Sequence, residues 1–319
     1  MHSERKLFYD CADFLRNFAL PIQSSRHFFY RVMKFLRTAV VFIALTVQVF
    51  AQPPAPKGHL VIIGGGARPE AIMKKIVELA GGAKARILIV PMASSEMLET
   101  AKAQREQFIK LGVPNVDFVI CDSVSANADS NLSKINAATG VFFSGGDQNR
   151  LMKALRGTKF LEGIWNCYRK GGVLSGTSAG AAVQSHIMLT GDEAISKDTV
   201  NAYSMVRKGN IVTTDGFGFV RSVIIDQHFV KRKRQNRLLT LVLEHPELVG
   251  VGIDEATSIV VKPNNTFEVL GDATVQIFDA RKAKNIRTDK NGNLAADDIR
   301  LSILPSGATY ALPPLKKGR

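Results

Sequence analysis

The sequence predicts an α/β fold, a parallel sheet with helices on both faces, followed by a C-terminal antiparallel β segment. Three observations carry that expectation. Short unbroken apolar runs recur from residue 59 onward, and strands buried on both faces read as continuous Val/Ile/Leu runs rather than as alternation. Stretches of helical length separate these runs, the pattern of a covered parallel sheet. After residue 250 the chain reads "TSIVVKPNNTFEVLGDATVQIFDA", where alternating residues broken at Asn264–Asn265 and Gly271–Asp272 predict antiparallel strands joined by tight turns.

Taken in order, "HLVIIGGG" is a buried strand that ends in Gly64, Gly65 and Gly66, and Pro69 opens a helix through about Ala80. "ARILIVPMAS" (85–94) is a second strand, and residues 97–111 follow as a helix. "VDFVICD" (116–122), "GVFFSGG" (140–146) and "GGVLSG" (171–176) continue the set. "SVIIDQHF" and "LVGVGIDEATSIVV" are further apolar strands, expected to end on the same edge of the sheet. Reactive groups of parallel sheets gather at the carboxyl ends of strands, where Gly64–Gly66, Gly145–Gly146 and Ser178 all fall. The glycine run lacks the G-x-G-x-x-G spacing of a dinucleotide loop and has no acidic residue about 20 positions on. Close backbone packing at a site is the stronger expectation.

The chain has 319 residues, of which 45% are hydrophobic and 22% charged, an ordinary globular composition. Its first 51 residues differ in kind. Lys34 and Arg37 precede an apolar run from Ala39 to Val49, and Val49 and Ala51 frame a cleavage point before Gln52, the layout of a secretory signal peptide. The run is shorter than the roughly 20 residues of a membrane span, so an uncleaved anchor is the weaker alternative. Residues 1–32 precede the charged region, and Met33 is a candidate start. A short rigid linker is expected over 52–57, where "PPAPKG" (53–58) fixes an extended path. Cleavage removes seven Lys/Arg and three Asp/Glu, leaving 35 against 25, so the net charge falls from +14 to +10. That balance admits nucleic acid, an anionic surface or anionic substrates. Cys121 and Cys167 remain and could pair, but imply no disulfide framework. Neither they nor the scattered histidines have metal-ligand spacing, and no cofactor is expected.

"GGVLSGTSAGAA" runs a strand into a turn with Ser178 between Gly176 and Gly180. A sharp strand-to-helix turn needs small neighbours, lifts the hydroxyl clear of the sheet and aims backbone N–H groups at the reacting centre. A serine hydroxyl becomes nucleophilic only when a base takes its proton and a third group orients that base. His59 lies at a strand start, His186 follows the serine helix and His245 precedes Pro246. His228 is different, because an apolar strand delivers Asp226, Gln227 and His228 together at its end. The orienting acid is Asp226, Asp254 or Glu255. Asp226, two residues from His228 and on the same strand face, suits a substrate ligand better than the group behind the imidazole.

"FFSGGDQNRL", "GTSAGA", "DQHFVKRKRQNRL" and "GIDEATSIVV" together resemble the cyanophycinase branch of the S51 serine peptidases, a family that also holds aspartyl dipeptidases. The resemblance covers roughly residues 58–315. It implies a three-layer, flavodoxin-like fold of the class I glutamine-amidotransferase kind and a catalytic triad of Ser178, His228 and Glu255. It also implies an oxyanion hole from the N–H groups of Gly146 and Ala179, and a substrate site shaped by Gln148, Asp226, Gln227, Arg232, Arg234 and Arg237.

The implied substrate is cyanophycin, a polyaspartate with an arginine joined through its α-amine to each side-chain carboxyl, so that each repeat exposes an arginine carboxylate. "KRKRQNR" (231–237), bluntly a nucleic-acid patch or a solvated face, then supplies guanidinium forks for those carboxylates, while Asp226 meets the substrate guanidinium. The implied reaction releases β-Asp-Arg dipeptides through an acyl-enzyme. An isoaspartyl or aspartyl dipeptidase and a catalytically silent binder of anionic polymers are the alternatives. Nucleic acid is not an expected partner, the membrane is expected only through the signal segment, and a homodimer is left open. The location implied by the signal is secreted or periplasmic. N-terminal sequencing of protein from periplasm or medium is expected to begin at Gln52; recovery of residues 33–51 still attached overturns the signal-peptide expectation.

Overall fold

The computed structural model describes residues 55–196 and 202–314. The N-terminal extension, the signal segment and residues 52–54 of the linker lie outside them. The first half of the described chain alternates strand and helix: β1 (His59–Ile63), α1 (Glu70–Leu79), β2 (Arg86–Val90), α2 (Met97–Lys110), β3 (Asn115–Phe118), α3 (Asp129–Ala137), β4 (Gly140–Phe143), α4 (Gln148–Leu155), α5 (Lys159–Lys170), β5 (Val173–Thr177) and the single turn α6 (Ala179–Ala182). A hairpin of β6 (Ile187–Glu193) and β7 (Ile211–Asp215) precedes β8 (Val223–Gln227), α7 (Gln235–Glu244) and β9 (Val249–Ile253). The remainder is β10 (Thr257–Val261), β11 (Thr266–Gly271), β12 (Val275–Asp279), β13 (Lys284–Thr288), β14 (Leu294–Asp297), β15 (Arg300–Leu304) and β16 (Thr309–Ala311).

The main sheet has the order β16-β11-β10-β1-β5-β4-β2-β3. Strands β1, β5, β4, β2 and β3 are parallel, and β10, β11 and β16 extend the β1 edge in antiparallel fashion. Its apolar runs conceal a period of two. Leu60, Ile62, Leu88, Val90, Val141 and Phe143 face one core with α4, α5 and α6, whereas Val61, Ile63, Ile87, Ile89 and Phe142 face another with α1 and α2. Each such Ile, Leu or Phe, fully removed from water, contributes about 1.5–3 kcal/mol, so helices on both faces follow from strands apolar on both faces.

Two expectations need correction. The strands ending in Asp226–His228 and in Asp254–Glu255 were expected on the edge of this same sheet. They are β8 and β9, parallel to each other but in a second, four-stranded sheet of order β15-β12-β9-β8. Valines 249 and 251 face the main-sheet core. The glycines between them let the other face take α7 and Phe229: a Cβ on Gly250 would lie 2.6 Å from Val242, and one on Gly252 2.3 Å from Phe229. The second correction concerns Gly271–Asp272. Asn265, at φ 58°, does turn β10 into its antiparallel neighbour β11. The segment after Gly271 makes no hairpin, because it carries the chain from β11 of one sheet to β12 of the other. Cys121 and Cys167 are both free thiols.

Candidate active site

Ser178 follows β5 directly, with φ 55° and ψ −112°, a backbone conformation that costs a non-glycine residue about 1–3 kcal/mol. His228 follows β8 at φ 51°, and Ala256, next to Glu255, has φ 53°. The three strained positions come from different strands, and one short segment holds all of them. The N–H of Ser178 donates to the Ile63 carbonyl at 3.1 Å, that of His228 to Gly64 at 2.6 Å, and that of Ala256 to Gly65 at 3.0 Å.

The side chains then fall into line. Ser178 Oγ lies 2.8 Å from His228 Nε2, and His228 Nδ1 lies 2.6 Å from Glu255 Oε1. An ionised carboxylate can only accept, so Nδ1 carries the proton and Nε2 presents a lone pair to the serine hydroxyl. Burial pulls the His228 pKa below its ordinary value; the hydrogen bond it donates to Glu255 opposes this, and Arg232 and Arg234 add to the lowering. The same hydrogen bond from His228 holds Glu255 below the usual carboxylate range. A neutral imidazole that accepts from a serine, backed by an anion that will stabilise its protonated form, is the apparatus of acyl transfer.

The glycine run explains itself here. Gly65 and Gly66 adopt φ +107° and +67°, and a Cβ on them would lie 2.3 Å from His228 Cε1 and 2.8 Å from Glu255 Cβ. Side chains at these positions would occupy the space of the imidazole and the carboxylate. Gly145, in the loop after β4, packs on the other side of the serine, where an added Cβ would sit 3.4 Å from Ser178 Cβ. Neither the Gly146 nor the Ala179 N–H donates to another backbone group among the described residues, so both are free to meet a developing oxyanion.

The six residues expected around the substrate separate into different environments. Asp226 and Arg237 are each 1% exposed. Arg237 Nε donates to Asp226 Oδ2 at 2.7 Å and Nη2 donates to Oδ1. Both carboxylate oxygens are therefore engaged internally, which corrects the expectation that Asp226 meets a substrate guanidinium and that Arg237 meets a substrate carboxylate. The expected shared strand face with His228 is also lost, because β8 ends at Gln227 and the positive φ of His228 turns its side chain off the strand alternation. Gln148 is 7% exposed and donates from Nε2 to the carbonyls of Leu189 and Thr190 on β6. Arg232 is exposed in the turn before α7.

Arg234 caps α7 and is 8% exposed; its Nη1 donates at 2.6 Å to both the carbonyl and Oε1 of Gln227, itself 7% exposed. Its Nε, itself buried, has no partner among the described residues. Burial pushes the Arg234 pKa down to about 10, with Arg237 adding to the effect, so the guanidinium stays charged at neutral pH. Burial also disfavours the charge on Arg237, but Asp226 outweighs it and raises that pKa. The Asp226–Arg237 pair was not legible in the sequence, since eleven positions and a strand-to-helix turn separate its members.

The chain matches the family model "Peptidase family S51" over residues 60–269. It is 33% identical over 309 residues to a cyanophycinase of Synechococcus elongatus, covering 93% of this chain and 90% of that protein. It is likewise 33% identical over 268 residues to a cyanophycinase of Trichormus variabilis, covering 82% and 87%. Among solved structures, a peptidase from an acI-B1 actinobacterium shares the fold, with a TM-score of 0.61 and 24% identity over 81% of this chain and 98% of that one.

Two measurements check the geometry. Activity on any substrate of the serine is expected to fall as His228 protonates, with the acid limb of kcat/KM centred below the ordinary histidine value of 6.5. Glu255→Gln removes the group that favours the imidazolium, so it is expected to lower kcat and move that limb to still lower pH; a limb moved upward contradicts the assignment. Gly65→Ala is expected to lower kcat about 100-fold, the cost of an ångström-scale displacement of a reacting group. Wild-type turnover by a folded Gly65→Ala protein contradicts the packing argument.

Proposed function

The chain belongs to peptidase family S51 and is a serine-type peptidase, and on that premise we propose that it is an exported cyanophycinase that hydrolyses cyanophycin to β-Asp-Arg dipeptides. The observation that carries the substrate is the charge balance beside the triad. Two buried guanidiniums, Arg234 and Arg237, share one carboxylate, Asp226. One positive charge is therefore left over among the described residues, in a place where isolated charge is costly, and the Nε–H of Arg234 has no partner among them. A carboxylate from the substrate satisfies both, and cyanophycin presents one on every arginine branch. The cyanophycinases at 33% identity support the same reading.

In this reading His228 Nε2 takes the Ser178 proton as Oγ attacks the scissile carbonyl carbon. The charge that forms on the carbonyl oxygen is met by the N–H groups of Gly146 and Ala179, each such donor being worth about 10²–10³ in kcat. The imidazolium, held by Glu255, gives its proton to the departing amine, which leaves an acyl ester on Ser178. Water, deprotonated by His228, attacks that ester, and the proton returns to Oγ. Gln227 and Arg234 hold the substrate carboxylate, with Gln148 and Arg232 at the margins. Export rests on the segment 33–51 with its cleavage point at Ala51, and supports a secreted or periplasmic location.

Incubation of the purified protein with cyanophycin granules is expected to release β-Asp-Arg. Ser178→Ala is expected to lower kcat about 10⁴- to 10⁶-fold with an unchanged melting temperature. Arg234→Ala is expected to lower kcat/KM about 10- to 150-fold, the value of one buried charge-assisted hydrogen bond, and Arg234→Lys is expected to rescue poorly because an ammonium lacks the fork. Cleavage of unbranched polyaspartate or aspartyl dipeptides at the cyanophycin rate, indifferent to Arg234, makes the protein a dipeptidase of the same family instead.

A further inference from the structure

Among the described residues of the β6–β7 connection, Tyr203 touches the guanidinium network. The Tyr203 ring centroid lies 4.7 Å from the guanidinium carbon of Arg237. Its phenol donates to the Gly191 carbonyl at 2.6 Å, and its backbone N–H donates to Glu193 Oε2 at 2.9 Å. Glu193 in turn accepts from Asn210 Nδ2 at 2.7 Å. The backbone stands at φ 61°, which a bulky residue adopts only where its surroundings impose it. The hairpin thus fixes both the ring and the backbone beneath it, with the ring face turned to a cation.

From Arg237 the contacts run without a gap to the buried Nε–H of Arg234, which has no partner among the described residues. Arg237 holds both oxygens of Asp226. Asp226 Oδ1 also accepts the N–H of Gln227 at 2.7 Å. The carbonyl and side-chain oxygen of Gln227 hold Arg234 Nη1, which lies 3.8 Å from Asp226 Oδ1. The carboxylate therefore fixes the peptide plane that aims Arg234, and its own orientation is set by Arg237. Two like charges compete for this carboxylate, and the negative face of an aromatic ring offsets part of their repulsion. Remove the ring, and Arg237 is free to shift toward the vacated space, carrying Asp226 with it.

We propose that Tyr203 is a positioning residue for substrate binding, which by covering Arg237 holds the Asp226 carboxylate, and through it Gln227 and Arg234, in register with the substrate carboxylate. The proposal rests on the reading of Arg234 given above. It makes the β6–β7 hairpin part of the specificity apparatus, since the same hairpin also accepts the Gln148 amide on β6. It makes no claim on the triad, which Tyr203 does not touch.

The test uses the full chain with Tyr203→Leu and Tyr203→Phe. On cyanophycin, Tyr203→Leu is expected to raise KM about 3- to 30-fold, the range of a desolvated cation–π contact, with kcat and the rate of Ser178 labelling by a fluorophosphonate at wild-type values. Tyr203→Phe keeps the ring face but gives up the phenol's bond to the Gly191 carbonyl, and is expected to raise KM less than Tyr203→Leu does. A second measurement needs no substrate: the Arg234 Nε–H signal in the NMR spectrum, assigned by its loss in Arg234→Lys, is expected to move in Tyr203→Leu and to move less in Tyr203→Phe. A signal unmoved in Tyr203→Leu, an equal loss of kcat, labelling and melting temperature, or a phenylalanine variant as impaired as the leucine one overturns the positioning role. Failure of the wild type to release dipeptides while the signal moves as expected overturns the cyanophycin reading alone and leaves the coupling of Tyr203 to Arg234 standing.

Discussion

Three consecutive carbonyls, those of Ile63, Gly64 and Gly65, accept the N–H groups of Ser178, His228 and Ala256, and the rest of the site depends on that ladder. Each donor sits at a positive φ that its residue does not choose freely. Without an acceptor at the right place, each strand end would relax, and the serine, imidazole and carboxylate would separate. The ladder also joins the two sheets. β1 belongs to the eight-stranded sheet, whereas His228 and Glu255 follow strands of the four-stranded one. A site assembled across such a seam is only as well ordered as the seam. The backbone bonds here, of 2.6 to 3.1 Å, are accepted at the end of a central strand, and core strands are the part of a fold that opens last.

The same segment explains why chemistry and glycine coincide. Close approach of a backbone to two catalytic side chains leaves no room for a Cβ, and the space above Gly65 and Gly66 is filled by His228 and Glu255 themselves. The glycines act as the floor of the site, and the imidazole rests on that floor at a fixed distance from the serine. Burial then does electrostatic work. It disfavours the imidazolium, so the base is neutral when it is needed, and Glu255 restores enough stability to the charged form for the proton to be accepted in turn.

Beside this neutral line lies a charged cluster organised on a different rule. Asp226 and Arg237 neutralise each other through a two-pronged pair and have almost no exposed surface to offer, whereas Arg234 keeps a charge and a donor without a partner among the described residues. Members of one basic run thus differ in kind: Arg232 is exposed, Arg234 is buried against Gln227, and Arg237 is buried against Asp226. Composition alone treats the three alike, because charge is local information and pairing is not. The β6–β7 hairpin closes the cluster from the far side through Tyr203.

The sequence by itself determined the elements whose physics is local. Continuous apolar runs could only be strands buried on both faces, so the α/β class was legible. The small residues around Ser178, after an apolar strand, pointed to a sharp turn, and His228 stood out at the end of an apolar strand, whereas the residues alone left the orienting acid open among Asp226, Asp254 and Glu255. The glycine run was legible as close packing because it lacked the spacing of a phosphate loop. Tertiary structure alone decided that β8 and β9 leave the main sheet, since a strand with two apolar faces fits either sheet and only the choice of neighbours distinguishes them. It also decided that Asp226 turns to Arg237 rather than to solvent. A carboxylate at the end of a strand is equally able to bind a ligand or a buried arginine, and the outcome is set by which cation α7 brings within 3 Å of it, a distance that no run of residues encodes.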